Sequence, residues 1–177
     1  MNAIVRLWLA FAALGAGLIH VAVGASAPFP LSVILVGFGL AELGWGVATL
    51  VRGRLLAPRT MMGIALIPVF VWGTTATLGS GLGVSAEATG LPVFPMMIAS
   101  LFNLVLAAGL ALHERRAARG GAAEPAASGS QGWRFVTALT LGAVIFSGLT
   151  TPALAATKAG DLAVPHGTLH GTSQHDH

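Results

Sequence analysis

The chain contains no cysteine, and charged residues make up only 8% of its 177 residues. The absence of cysteine excludes disulfide bonds, thiolate metal sites and thiol redox chemistry. The shortage of charge excludes an ordinary soluble domain, in which about 25% of residues are charged. Because 55% of the residues are hydrophobic, a soluble chain of this length would have more apolar side chains than its core could bury. The composition therefore predicts an integral membrane protein whose surface faces the lipid bilayer.

The sequence also lacks the short motifs that accompany common catalytic and binding sites. It has no Gly-x-Ser-x-Gly elbow, no Walker loop and no His-Glu-x-x-His helix. Its nine lysines and arginines are spread along the chain, without a basic patch interleaved with aromatic residues. Such patches are typical of proteins that bind nucleic acid. We therefore expect neither an enzyme nor a nucleic-acid-binding protein.

Long apolar stretches are the main feature of the sequence. A helix that spans the membrane needs about 20 mostly apolar residues. Five stretches meet this requirement, at 7–27, 31–51, 61–79, 93–112 and 135–155. They do not alternate apolar with polar residues, as the strands of a membrane barrel do. We therefore predict an all-α fold, an integral membrane helical bundle with five transmembrane helices.

The distribution of positive charge predicts the orientation of these helices. Arginines precede the first span and occupy the connections after the second and fourth spans, whereas the connections after the first and third spans have none. Positively charged connections stay on the cytoplasmic side, so the N-terminus is predicted inside and the C-terminus outside. The Ala- and Gly-rich composition is typical of small multi-pass proteins in the inner membrane of bacteria. The arginines that predict the orientation are Arg6, Arg52, Arg54, Arg59, Arg115, Arg116, Arg119 and Arg134.

The segment GGAAEPAASGSQG, at 120–132, is small, polar and typical of a flexible linker. It divides the chain into a four-helix transmembrane bundle over 1–113, a basic cytoplasmic linker over 114–134, a fifth helix over 135–156 and an extracytoplasmic histidine-rich tail over 157–177. The first span is similar to a signal peptide, but its apolar run is longer, so we interpret it as a retained helix. Cleavage at the Ala-x-Ala of Ala153 and Ala155, which would release the tail, is the less favoured alternative.

Two ionisable residues lie inside the apolar spans, where a charge costs roughly 2.5–3.5 kcal/mol on insertion scales. His20 is in the first span and Glu42 is in the second, and each shares its helical face with small residues. Both side chains are therefore predicted to point towards another helix. A short turn joins the two spans, and at ~1.5 Å per residue the depths of the two residues differ by about 6 Å. We therefore predict that the two side chains are in contact, directly or through water. The contact serves either as a structural hydrogen bond or as a proton relay or cation contact.

Histidine is concentrated at the end of the chain, in HGTLHGTSQHDH. Imidazole binds Cu, Ni, Co and Zn, and the thioethers at the start of the fourth span suit Cu(I). Polar, Gly-rich termini are also often simply disordered, and methionine at a helix start often only packs, so an incidental tail is the alternative. The candidate metal ligands are His166, His170, His175, His177, Met96 and Met97.

These observations give two functional hypotheses. In the first, the chain handles a transition metal: the tail gathers Cu, Ni, Co or Zn, and His20, Glu42 and the two methionines form an intramembrane relay or entry site. In the second, the chain is a structural or accessory subunit of a larger membrane complex. Its partners are then other membrane subunits or a second copy of the chain, and the His20–Glu42 pair clamps two helices together without any metal.

Overall fold

The structure is a computed structural model and describes residues 3–81, 91–119 and 131–162. Over these ranges the chain is helical and contains no strand, which confirms the predicted all-α fold. Five long helices are followed by one short helix. They are α1 (Ala3–Gly24), α2 (Phe29–Arg52), α3 (Pro58–Gly81), α4 (Val93–Ala118), α5 (Gln131–Ala155) and α6 (Lys158–Asp161).

The first helix, α1, lies at the centre of the bundle. It packs against α2, α4 and α5, whereas α3 packs mainly against α4. Many core positions of α1 are small, and Ala12, Ala13 and Ala16 are fully buried. Small residues let helix backbones approach closely, which favours helix association in lipid, where the hydrophobic effect does not drive it. The small residues of α1 therefore allow three helices to pack around it.

Helices α1 and α2 form an antiparallel pair that is closest at two glycines. A Cβ atom added to Gly17 would lie 2.7 Å from the carbonyl oxygen of Gly39, and one added to Gly39 would lie 2.7 Å from the carbonyl oxygen of Gly17. A side chain at either position would therefore push the two backbones apart. The interface follows the alternating spacing of three and four residues that is typical of a helix–helix seam. On α2 its residues are Leu35, Gly39, Glu42, Gly46 and Thr49.

The fifth helix, α5, packs directly on α1. The indole Nε1 of Trp8 donates a hydrogen bond to the carbonyl oxygen of Ala138, at 3.0 Å. The ring of Phe146 lies against Trp8, Phe11 and Phe102, with ring centroids 6.3, 6.0 and 5.2 Å away. Because Phe102 belongs to α4, this aromatic cluster joins three helices. The helix that follows the predicted linker therefore packs against α1 and α4.

Four of the described helices are long and apolar enough to cross a membrane: Ala3–Gly24, Phe29–Arg52, Val93–Ala118 and Gly132–Ala155. Helix α3 covers the third predicted span but is not among these four, so the third span, and with it the total of five, remains a prediction, as does the orientation. Only 28% of the most apolar stretch of α2 is buried, and only 17% of that of α5. Their outward faces carry large apolar side chains, as expected of helices that face lipid.

Several helix ends differ from the predicted spans, and two of these differences have a clear local cause. Helix α1 ends at Gly24 instead of 27, because the chain enters a tight turn in which the N–H groups of Ser26 and Ala27 donate to the carbonyl oxygens of Val23 and Gly24. Helix α4 continues past 112 to Ala118, because its Glu, Arg and Ala residues favour helix beyond the apolar stretch. The ends of α4 and α5 therefore extend into the predicted linker at 114–134.

The glycine contact predicts a large difference between two substitutions on α2. Gly39→Ala should lower the free energy of unfolding in detergent by about 1–3 kcal/mol, because the added methyl group overpacks the interface. Gly37→Ala is the matched control, since nothing lies within 4 Å of a Cβ atom added there. It should be neutral or stabilising by up to about 1 kcal/mol, as expected for Gly→Ala in a helix. Equal effects of the two substitutions would show that the helices do not meet at Gly39.

Candidate functional site

The two ionisable residues of the apolar spans are in direct contact. Nδ1 of His20 on α1 lies 2.7 Å from Oε2 of Glu42 on α2. The side chains are 1% and 0% exposed, respectively. Of the two predicted forms of contact, direct or through water, the structure has the direct one. The pair is sealed inside the bundle and joins the two helices.

The pair lies next to the closest approach of α1 and α2. His20 is three residues after Gly17, and Glu42 is three residues after Gly39. Residues three apart lie on the same face of a helix, so each polar side chain follows a glycine that contacts the other helix. The missing side chains at Gly17 and Gly39 let the backbones approach until the imidazole and the carboxyl group meet. The glycines therefore position the pair.

The short separation requires a shared proton between the two groups. Imidazole nitrogen and carboxylate oxygen both accept hydrogen bonds, so one of them must carry a hydrogen at this distance. Either the imidazole donates to the carboxylate or the carboxyl group donates to the imidazole. In both cases one hydrogen bond crosses from α1 to α2, in surroundings of low dielectric that strengthen it.

Other buried polar atoms near the helix seams have no hydrogen-bond partner within the described residues. These atoms are Oε1 of Glu42, Oγ1 of Thr49, and both side-chain amide atoms of Asn103 on α4. A buried polar group left without any partner costs roughly 1–3 kcal/mol. Thr49 was not recognised as an interface residue from the sequence. Its position seven residues after Glu42, on the same face as Gly46, is the signal that identifies it.

The candidate metal ligands are not brought together by the described part of the chain. Met96 is buried in α4, at 2% exposed, whereas Met97 is 49% exposed and points away from the core. His166, His170, His175 and His177 lie outside the described residues. Across residues 3–81, 91–119 and 131–162, no cluster of three or more histidine, aspartate or glutamate side chains could hold a metal ion. Metal binding by these residues therefore stays a prediction.

Two threonines of α3, Thr74 and Thr77, form hydrogen bonds within their own helix. The hydroxyl of Thr74 donates to the carbonyl oxygen of Phe70 at 2.7 Å, and the hydroxyl of Thr77 donates to that of Gly73 at 2.7 Å. This is the common local bonding of threonine in helices. The hydrogen bond between His20 and Glu42 differs because it joins two helices.

Comparison of the chain with protein-family models, with curated proteins and with solved structures finds no match. The site is therefore interpreted from its own geometry. A lone imidazole and one carboxylate supply two ligands, whereas zinc sites in proteins use three or four protein ligands. The arrangement is suited to holding a proton between two helices and, by itself, unsuited to holding a metal ion.

A double-mutant cycle measures the energy of this contact. His20→Ala and Glu42→Ala should each destabilise the protein in detergent, because neither replacement can form the hydrogen bond. Their coupling free energy should be about 0.5–1.7 kcal/mol, the range of interhelical hydrogen bonds in membrane proteins. The matched control cycle combines His20→Ala with Thr74→Val, which removes a hydrogen bond confined to α3. That cycle should be additive. Additivity in the His20–Glu42 cycle as well would mean that the pair does not hold α1 and α2 together.

Proposed function

We propose that the chain is a multi-pass membrane protein with a structural or accessory role in a larger membrane assembly. The observation that carries the proposal is the sealed 2.7 Å contact between His20 and Glu42. Their burial, at 1% and 0% exposed, gives neither side chain access to a substrate or an ion. A closed contact of this kind fixes the helices α1 and α2 and serves as an interhelical clamp.

The outward faces of the bundle support the role as a subunit. Helix α5 leaves large apolar side chains such as Val136, Leu141 and Val144 more than half exposed. Helix α2 does the same with Val33 and Leu40. In a membrane, either lipid or the apolar helices of another subunit cover such surfaces. A rigid, clamped α1–α2 pair then presents a defined face to its neighbours.

The proposal includes the orientation and the location of the chain. The end of the bundle that holds Arg6, Arg54, Arg59 and Arg116 is the cytoplasmic end, in keeping with the retention of positive charge on that side. The turn around Ser26 then faces the outside of a bacterial inner membrane. Because the natural chain has no cysteine, a Ser26→Cys variant labelled by an impermeant maleimide on intact cells tests this orientation. Protection of that cysteine would reverse it.

Metal binding by the tail is the second candidate. It rests on one observation, the four histidines among the last twelve residues of a chain that has six in total. Flexible histidines can wrap Cu, Ni, Co or Zn. In this hypothesis the ion is held outside the helical bundle. The clamp and the metal site are then separate features, and each can be tested without disturbing the other.

Native mass measurement of the protein extracted from its own membranes in a mild detergent separates the two candidates. A stoichiometric particle heavier than one chain, with no added mass in equimolar Cu, Ni or Zn, is the expected result for an accessory subunit. A single chain that gains one ion, and loses it when the four tail histidines are replaced by serine, would favour metal handling. His113→Gln is the matched control for histidine loss outside the tail. A single chain that binds no ion would contradict both candidates.

A further inference from the structure

A basic cavity lies at the predicted cytoplasmic end of the bundle, far from the histidine–glutamate pair. Its volume is about 280 Å³. One water molecule needs roughly 10–15 Å³ of such space, so the cavity has room for an anion of several atoms. Its walls come from the start of α1, the connection between α2 and α3, the start of α3 and the end of α4. They are formed by Arg6, Gly53, Arg54, Leu55, Pro58 and His113.

The charges that line this cavity are all basic. Arg6 and Arg54 have no acidic partner within the described residues, and His113 adds a third basic group to the wall. The nearby carboxylate of Glu114 is already engaged, because its Oε2 accepts a hydrogen bond from Nε of Arg59 at 2.6 Å. Arginine remains charged at every pH of physiological interest. Two arginines therefore line one cavity without an acidic partner among the described residues.

The connection that carries Arg54 is held in place by its own contacts. Gly53 ends α2 in the left-handed conformation, with φ of 62°, which glycine adopts without strain. Nε1 of Trp45 donates a hydrogen bond to the carbonyl oxygen of Leu56, at 2.7 Å. The cavity therefore has a defined wall on the side of Arg54.

We propose that this cavity binds a phosphate group. The planar guanidinium group of arginine matches the oxygens of phosphate and can bind two of them at once. Arg6 and Arg54 supply the charge, and the imidazole of His113 supplies a further donor. Two sources carry the same chemistry at this depth: the headgroup of an anionic phospholipid in the inner leaflet, and a phosphate ion from the cytoplasm.

The test uses the purified full chain in detergent, with dioleoyl phosphatidylglycerol and inorganic phosphate as separate probes. Dioleoyl phosphatidylcholine serves as the lipid without net charge. The Arg54→Gln variant should bind the preferred probe about tenfold more weakly or worse, as expected when one hydrogen bond to a charged group is lost. Arg52→Gln is the matched control, because Arg52 carries the same charge two residues earlier, is exposed and does not line this cavity. It should keep the affinity of the natural chain.

The result identifies the source of the phosphate group as well. Saturable binding of phosphatidylglycerol, but not of phosphatidylcholine or inorganic phosphate, assigns the cavity to a lipid headgroup. Saturable binding of inorganic phosphate assigns it to a soluble anion. Equal loss of affinity in Arg54→Gln and Arg52→Gln would overturn the proposal, because general surface charge would then explain the binding. Failure of both probes to bind saturably would also overturn it.

Discussion

The close approach of α1 and α2 at Gly17 and Gly39 is the constraint on which the rest of the structure depends. At this point each glycine takes a position where even one methyl group would collide with the opposite backbone. Dispersion contacts at such short range replace the hydrophobic effect, which does not drive helix association within lipid. This close contact between the helices also brings together His20 and Glu42, which lie one helical turn from the two glycines. Packing and polar contact are therefore two consequences of one crossing between helices.

This bundle has few polar groups. Some of them form hydrogen bonds between helices, and others bond only within their own helix. The contact between His20 and Glu42 crosses an interface and is fully buried. By contrast, the hydroxyl of Thr74 bonds to its own helix and links nothing. In an apolar medium an unpaired polar group is costly, so a polar residue is best tolerated where a partner on another helix meets it. Glu42 meets this condition with one carboxyl oxygen, while the other has no partner within the described residues.

Much of the fold and the central pair could be predicted from the sequence. Long apolar runs identify the helices, and counting residues back from the short turn places His20 and Glu42 within about 6 Å of each other in depth. Other contacts could not be predicted, because they depend on which helices become neighbours. The hydrogen bond from Trp8 to Ala138 joins residues 130 positions apart, and no periodicity within either helix indicates it. The basic cavity could not be predicted either, because Arg6, Arg54 and His113 come from three separate parts of the chain. Positive charge at one end of the bundle indicates the orientation, but it does not indicate that these residues line one cavity.

The most direct test of this account is solid-state NMR of the protein in lipid bilayers, with ¹⁵N-labelled histidine and ¹³C-labelled glutamate. The account predicts a measurable dipolar coupling between a histidine Nδ1 and a glutamate carboxyl carbon, because the imidazole and the carboxyl group are hydrogen-bonded. This coupling should disappear in the Glu42→Gln variant and persist in Glu114→Gln, which removes the glutamate next to His113. Absence of the coupling in the natural chain, or its persistence in Glu42→Gln, would contradict the claim that a buried histidine–glutamate contact holds the first two helices together.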